Sequence, residues 1–171
     1  KAHLAAMAEA FLAHRPDLHL VLLSDGAPDH WTFLEKWAGP RPHTSVADFW
    51  HAAEYLKGAL DAYYGEHSPK AASSFAAYKT LWEEDPQGPD KVIHALSYRA
   101  RRCRGERRQP IQRALRYLRK QRPRMGYAAA RAAGWPIGSG VTEAACKTLV
   151  TQRCQQSGMR WSASGLGAIL L

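Results

Sequence analysis

The sequence predicts a mixed α/β fold that is mostly helical, and two short apolar runs are the first observation behind that prediction. The run from Leu18 to Leu23, bounded by Pro16 and Gly26, is nearly continuous and is typical of a buried strand in a parallel or mixed sheet. The β-branched run 43–47 predicts a second short strand. The second observation is a long later stretch in which Pro and Gly fall between segments of helical periodicity. With 171 residues, 46% of them hydrophobic, the chain can form a substantial core.

The predicted elements follow in a simple order. A helix at about 2–14 precedes the first strand at about 18–24, and a helix at about 29–38 precedes the second strand. Breakers such as Pro86, Gly105 and Pro123 separate the helices of a block of about ninety residues. The predicted bounds of these helices are about 48–64, 69–84, 89–103, 108–121 and 124–133, and a final helix follows the turn at 138–140.

Asp25 stands at the end of the first predicted strand. In open α/β sheets the ligand crevice lies beyond the carboxyl ends of the strands, so a carboxylate at this point is a candidate functional residue. Gly26 permits the turn that follows. A common turn-forming Asp-Gly pair accounts for the same two residues, and Asp25 alone does not separate the two interpretations.

A second carboxylate, Glu143, lies in the first turn of the predicted final helix, which otherwise carries small, cationic and amide side chains. One explanation is structural, because a carboxylate near a helix N-terminus is stabilised by roughly 0.3–1 kcal/mol. The other is functional, with Glu143 acting together with Asp25. The two residues are 118 positions apart in the sequence, so they can converge only if the intervening block folds out as an insertion.

Asp48 and His51 open the long third helix. Residues at positions i and i+3 lie on the same helical face, so this carboxylate and imidazole share one surface. Asp48 is also suited to cap the helix, and an N-cap followed by a structural histidine is the alternative interpretation. The pair alone supplies too few ligands for a metal site.

Charge is distributed unevenly along the chain, which has a net charge of +9. Residues 1–90 contain seven basic and thirteen acidic side chains, whereas residues 99–131 contain thirteen basic side chains and only one acidic one, a net +12. The arginine guanidinium can donate two hydrogen bonds to one phosphate, so nucleic acid is the predicted partner. A membrane surface fits less well, because no strongly amphipathic segment with a broad aromatic face accompanies the arginines. The candidate DNA-binding residues are Arg99, Arg101, Arg102, Arg104, Arg107, Arg108, Arg113, Arg116, Arg119, Lys120, Arg122, Arg124, Lys147, Arg153 and Arg160.

The cellular location is predicted from the cysteines and from the absence of targeting signals. Cys103, Cys146 and Cys154 show no metal-ligand spacing, and the sequence has no signal peptide and no apolar run of membrane length. A reduced, cytoplasmic protein is therefore expected. The chain begins within a helical pattern and ends on an apolar run without a stop signal, so we expect a fragment of a longer polypeptide.

These residues together resemble the catalytic core of bacterial insertion-sequence transposases. The resemblance rests on the run 22–26, on the pair Asp48 and His51, on the helical insert, and on the run 137–140 followed by Glu143. The segment 153–161 is similar to the C-terminal signature of the Kra-type insertion-sequence family, which is related to the Mutator-like transposases. The resemblance covers essentially the whole chain, and its most specific part is 137–161.

The resemblance implies a truncated RNase H-like core that carries a large all-helical insertion. It implies that Asp25 and Glu143 are the second Asp and the Glu of an Asp-Asp-Glu triad holding two Mg²⁺ (or Mn²⁺) ions, with Asp48 and His51 as accessory residues. The first Asp would lie upstream of this sequence, and Gln155 stands where the family usually has a lysine. The implied domains are a partial core (1–50), a helical insertion (51–135), and a returning catalytic helix with the C-terminal segment (136–171).

The implied activity is DNA transposition by metal-dependent phosphodiester cleavage and strand transfer. Transposon ends and target DNA would be the partners of a protein that is a homo-oligomer when full length, located with the nucleoid in the bacterial cytoplasm and not on a membrane. Since the first Asp is missing, we expect this fragment by itself not to cut DNA. Two alternatives stay open: a non-catalytic DNA-binding remnant of a transposase, and an RNase H-like nuclease without transposition.

Overall fold

The computed structural model describes residues 2–140, 144, 147–148, 158–162 and 165. The chain divides into two compact units, residues 1–137 and residues 138–171. All the helices and strands whose bounds follow belong to the first unit. They make the protein a mixed α/β structure that is mostly helical, as the sequence predicted.

The first four elements are α1 (Ala2–His14), β1 (Leu20–Ser24), α2 (Pro28–Ala38) and β2 (His43–Ala47). Five helices follow, namely α3 (Phe49–Tyr64), α4 (Pro69–Glu84), α5 (Gly88–Arg102), α6 (Arg108–Gln121) and α7 (Tyr127–Ala132). Single 3-10 turns occupy Gly105–Arg107 and Arg122–Arg124. The predicted elements up to residue 133 are confirmed to within three residues at each end. The largest difference is at α7, which begins later than predicted because the chain before it forms a 3-10 turn. The predicted final helix lies largely outside the described residues.

β1 and β2 pair in parallel, in a register that runs from Leu20 opposite His43 to Ser24 opposite Ala47. Parallel strands need a crossover connection, and α2 provides it. In β1, Leu22 is buried in a small cluster with Trp31 and Ala38 of α2, but Leu20 and Leu23 are only half-buried. Strand β1 is therefore only partly buried, less than its apolar run predicted, because in the described part of the chain the sheet has just these two strands.

The main hydrophobic core lies within the helical block. α3 packs against α4 and α6, and α5 packs against the same two helices, so the four helices enclose a common interior. The apolar stripe of α6, formed by Ile111, Leu115 and Leu118, is buried there. None of the described helices is long and apolar enough to cross a membrane.

The carboxyl ends of the two strands join the helical block through backbone hydrogen bonds. The Asp48 amide donates to the Ser24 carbonyl over 2.8 Å, which links the end of β2 to the end of β1. The next amide, that of Phe49, donates to the Ile137 carbonyl over 2.9 Å. The chain that follows α7 thus returns to the point where Asp25 and Asp48 emerge from the sheet.

Candidate functional site at the strand ends

Asp25 presents an ionised carboxylate directly after β1, with its side chain 52% exposed. Its Oδ1 accepts hydrogen bonds from the Ala27 amide (3.1 Å) and from the Ser24 hydroxyl (3.3 Å). The donation from Ala27 is the main cause that lowers the pKa of Asp25. Partial burial opposes this effect, and Ser24, His30 and His51 lower the pKa further. Its Oδ2 accepts no hydrogen bond from the residues that the structure describes.

Asp48 follows β2 and is buried, with 3% of its surface exposed. Its Oδ1 accepts a hydrogen bond from the His51 amide over 2.8 Å, which confirms the predicted N-cap of α3. The His51 imidazole lies 3.3 Å from a carboxylate oxygen of Glu54 and meets the rings of Tyr55 and Tyr117 edge-on. The accessory role of Asp48 and His51 stays a prediction.

Two α6 side chains reach the turn that carries Asp25. The Tyr117 hydroxyl donates to the Asp25 carbonyl over 2.9 Å, and the Gln121 amide donates to the Gly26 carbonyl over 3.2 Å. Burial raises the pKa of the Tyr117 phenol, so it stays a protonated donor at neutral pH. The sequence reasoning missed both residues. Their i, i+4 spacing places them on one face of α6, but it does not indicate which part of the chain that face meets.

A small pocket of about 260 Å³ opens beside His51. Glu54, Tyr55 and Arg113 line it, and the Arg113 guanidinium lies 5.6 Å from the centre of the Tyr55 ring. Tyr55 in turn stacks on Tyr117 with 4.1 Å between ring centres. One predicted DNA-binding arginine is therefore joined to the strand-end site by a short series of aromatic contacts.

The donor atoms at the strand ends fit a divalent cation only in part. Asp25 offers a hard, ionised and half-exposed carboxylate, the kind of ligand that Mg²⁺ prefers. Asp48 is buried, and one of its oxygens caps α3. Within the described residues, no group of three or more His, Cys, Asp or Glu side chains converges as a metal site would require. Glu143, the predicted partner of Asp25, lies outside the described residues.

A cationic groove of about 470 Å³ runs between α5 and α6. In the described part of the chain, Arg101, Arg108 and Arg116 form no ion pair with a carboxylate, while Arg119 donates to the Ser97 hydroxyl over 2.9 Å. Backbone phosphates are suitable ligands for guanidinium groups that have no carboxylate partner. The polar side chains lining the groove are Arg101, Arg108, Arg116, Arg119, Ser97 and Gln112.

Three of the predicted DNA-binding arginines are only partly exposed and are bound to tyrosine or carboxylate side chains of the protein. Arg99 is half-buried among the rings of Tyr63, Tyr64 and Tyr78 and donates to the Tyr64 hydroxyl over 3.0 Å. Arg122 is paired with Asp90, and Arg124 with Glu35. The others on the helical block are exposed: Arg101, Arg102, Arg104, Arg107, Arg108, Arg113, Arg116, Arg119 and Lys120.

In the second unit, Lys147 and Arg160 are exposed, as a DNA-contacting role requires. Arg153 lies outside the described residues, like Glu143. Comparison of the chain with protein-family models, with curated proteins and with solved structures gave no match.

Proposed function

We propose that this chain is part of the catalytic core of a DDE-type transposase of a bacterial insertion sequence. In this proposal Asp25 and Glu143 bind divalent cations, and the two parallel strands belong to an RNase H-like sheet. The helical block is then the insertion between the second Asp and the Glu. The reaction is phosphodiester cleavage and strand transfer on DNA.

The observation that carries the proposal is the position of Asp25. It is a half-exposed, ionised carboxylate at the carboxyl end of β1, and β1 is paired in parallel with β2, which ends next to Asp48. The carboxyl edge of a parallel sheet is where α/β proteins build ligand sites. A divalent cation bound there would favour in-line attack of a hydroxyl on a phosphodiester.

The connectivity of the chain gives further support. Between Asp25 and Ile137 the chain forms α2, β2 and then the five helices α3 to α7. The Ile137 carbonyl accepts a hydrogen bond from the amide of Phe49, the first residue of α3. Glu143 follows Ile137 by six residues in the sequence. A helical insertion that leaves and rejoins the sheet at the same edge is the arrangement that the proposal needs.

A second candidate function, DNA binding without catalysis, is favoured by the groove between α5 and α6. Arg101, Arg108 and Arg116 are exposed there and carry no carboxylate partner in the described part of the chain. Such a surface binds DNA mainly through phosphates, with strong salt dependence and little sequence preference. This function does not require Asp25 or Glu143.

The test of catalysis is nicking of a transposon-end duplex in Mg²⁺ or Mn²⁺ by a protein extended upstream to include the first Asp. We expect Asp25→Asn and Glu143→Gln each to reduce nicking to background, with Asp90→Asn as the control because Asp90 is an exposed carboxylate of the helical block. Nicking that survives Asp25→Asn would overturn the catalytic proposal.

We expect no nicking by the 171-residue chain. Nicking by this chain that Glu143→Gln abolishes would show that the missing Asp was assigned wrongly.

The test of DNA binding is the salt dependence of affinity for duplex DNA. Replacing Arg101, Arg108 and Arg116 together by Ala should reduce the slope of log K against log salt by about 2.7, since each phosphate contact contributes about 0.9. Replacing the paired residues Arg122 and Arg124 is the matched control and should change the slope less. An unchanged slope in the triple variant would show that the groove does not face DNA.

A further inference from the structure

We propose that Tyr117 and Gln121 are positioning residues that hold the Asp25–Gly26 turn, and with it the Asp25 carboxylate, in one fixed orientation. That this orientation helps Asp25 to bind a divalent cation rests on the proposed function. That Tyr117 and Gln121 fix the turn does not depend on the proposed function.

The first support is the pattern of hydrogen bonds. Tyr117 and Gln121 are four residues apart, so they lie on one face of α6 in successive turns. Their donors meet two consecutive carbonyls, that of Asp25 at 2.9 Å and that of Gly26 at 3.2 Å. A single hydrogen bond would leave the turn free to rotate about the bond. Two bonds to adjacent peptide units fix both the position and the orientation of the turn.

The second support is the close approach of α6 to Gly26. The backbone at Gly26 has a φ of +101°, a conformation that L side chains rarely adopt. A Cβ at this position would lie 2.5 Å from the Gln121 Nε2 and 3.1 Å from a Tyr117 ring carbon. The absence of a side chain at Gly26 is therefore what allows the two donors to reach the backbone.

The third support is that both donors are themselves held in place. Gln121 is buried, with 1% of its surface exposed, and α6 is anchored in the core by fully buried residues such as Ile111 and Leu118. The Tyr117 ring stacks on Tyr55 with an interplanar angle of 7°. Donors fixed by packing lose little conformational entropy when they bond, so they position a partner better than mobile surface side chains do.

The orientation of the turn determines the orientation of the Asp25 carboxylate. Asp25 Oδ1 accepts a hydrogen bond from the amide of Ala27, the residue directly after Gly26. The peptide units on which the α6 donors act are thus within one residue of the amide that orients the carboxylate. If the turn loosens, this amide moves and the carboxylate loses its fixed direction.

The experiment compares Tyr117→Phe, Gln121→Met and the double variant of the 171-residue chain with the unchanged chain by ¹⁵N NMR relaxation. Both substitutions keep the bulk of the side chain and remove the donor. In the unchanged chain we expect backbone order parameters of about 0.85 at Gly26 and Ala27. In the double variant we expect values below about 0.6. Tyr98→Phe is the matched control, because the Tyr98 hydroxyl accepts a hydrogen bond from Arg102 on α5 and should not affect the turn.

A titration with Mn²⁺ connects the turn to cation binding, because paramagnetic broadening detects even weak binding near Asp25. We expect the Mn²⁺ concentration for half-broadening to rise about twofold to tenfold in the double variant, because the cation must then order a turn that is no longer held in place. Unchanged order parameters in the double variant would overturn the proposal. Loss of order with unchanged Mn²⁺ affinity would also overturn the positioning role. Absence of broadening at Asp25 in the unchanged chain would contradict the proposed function. The order parameters test separately whether Tyr117 and Gln121 fix the turn.

Discussion

Tyr117 and Asp25 are 92 positions apart in the sequence, yet the Tyr117 hydroxyl donates to the Asp25 carbonyl over 2.9 Å. Asp25 follows β1, and Tyr117 lies near the end of α6, so this bond joins the sheet to the helical block at the candidate site. The position of the carboxylate therefore depends on the packing of α6 as well as on the strand. Substitutions on α6 are expected to affect Asp25 without touching its side chain.

The first prediction concerns Gly26. Gly26→Ala should destabilise the protein by about 2–4 kcal/mol, because a Cβ adds backbone strain at positive φ and collides with Gln121. Gly58→Ala is the matched control, since a Cβ at Gly58, on the exposed surface of α3, meets nothing within 4 Å. It should stabilise the protein by about 0.5–1 kcal/mol through helix propensity. Urea denaturation measures both values, and equal stabilities of the two variants would contradict the close approach of α6.

The second prediction concerns the ionisation of Asp25. The Ala27 amide is the main cause of its lowered pKa, so removing that donor should raise the pKa toward about 3.9. Ala27→Pro does this at a residue whose φ of −60° suits proline, and Ala27→Ser keeps the amide as a control. Titration of the carboxyl carbon by NMR gives the pKa. An equal pKa in both variants would show that another group sets it.

The sign of the resulting pH dependence follows from the direction of the shift. A carboxyl whose pKa is lower in the folded state adds stability above its unfolded pKa, about 3.9, and that stability is lost as pH falls through the folded pKa. Ala27→Pro should therefore make stability depend less steeply on pH below about 4. The contribution is small, because the Asp25 side chain is half-exposed and solvent screens it.

The third prediction separates a structural arginine from a DNA-binding one. Arg99→Ala should destabilise the protein by about 1–3 kcal/mol, since it removes the hydrogen bond to Tyr64 and the contacts with three tyrosine rings. It should leave the salt slope of DNA binding unchanged. Arg101→Ala, in the exposed groove, should reduce the salt slope of DNA binding and leave the stability of the protein unchanged. Denaturation and fluorescence anisotropy at several salt concentrations measure the two effects, and a reduced slope in Arg99→Ala would place that residue at the DNA.

The elements of this fold were largely predictable because the signals that set them are local. Pro86, Gly105 and Pro123 interrupt the helical pattern within a few residues of where helices end in the structure, and the Asp48 cap follows from its position before α3. Strand β1 was also found from its apolar run. Its degree of burial was not, because burial depends on how many strands and helices cover the sheet.

The candidate site was predictable only in part. Asp25 could be selected because it ends a strand, a feature of its own neighbours in the sequence. The contact of Tyr117 with that turn, and the inward position of Arg99, depend on packing between distant helices, and neither spacing nor composition encodes such contacts. The arginine count predicted a cationic surface, but the ion pairs of Arg122 and Arg124 with acidic residues elsewhere in the fold reduce it.

The last prediction distinguishes the two roles of Asp48. Asp48→Ala should cost about 0.5–2 kcal/mol of stability, because the first turn of α3 loses the acceptor that caps the His51 amide. Asp48→Ser restores a capping oxygen without a carboxylate, so most of that stability should return. If Asp48 also has an accessory catalytic role, both variants of the upstream-extended protein should nick DNA more slowly than the unchanged protein. Urea denaturation and the nicking assay measure the two quantities separately. Nicking by Asp48→Ser at the unchanged rate would show that Asp48 acts only as the cap of α3.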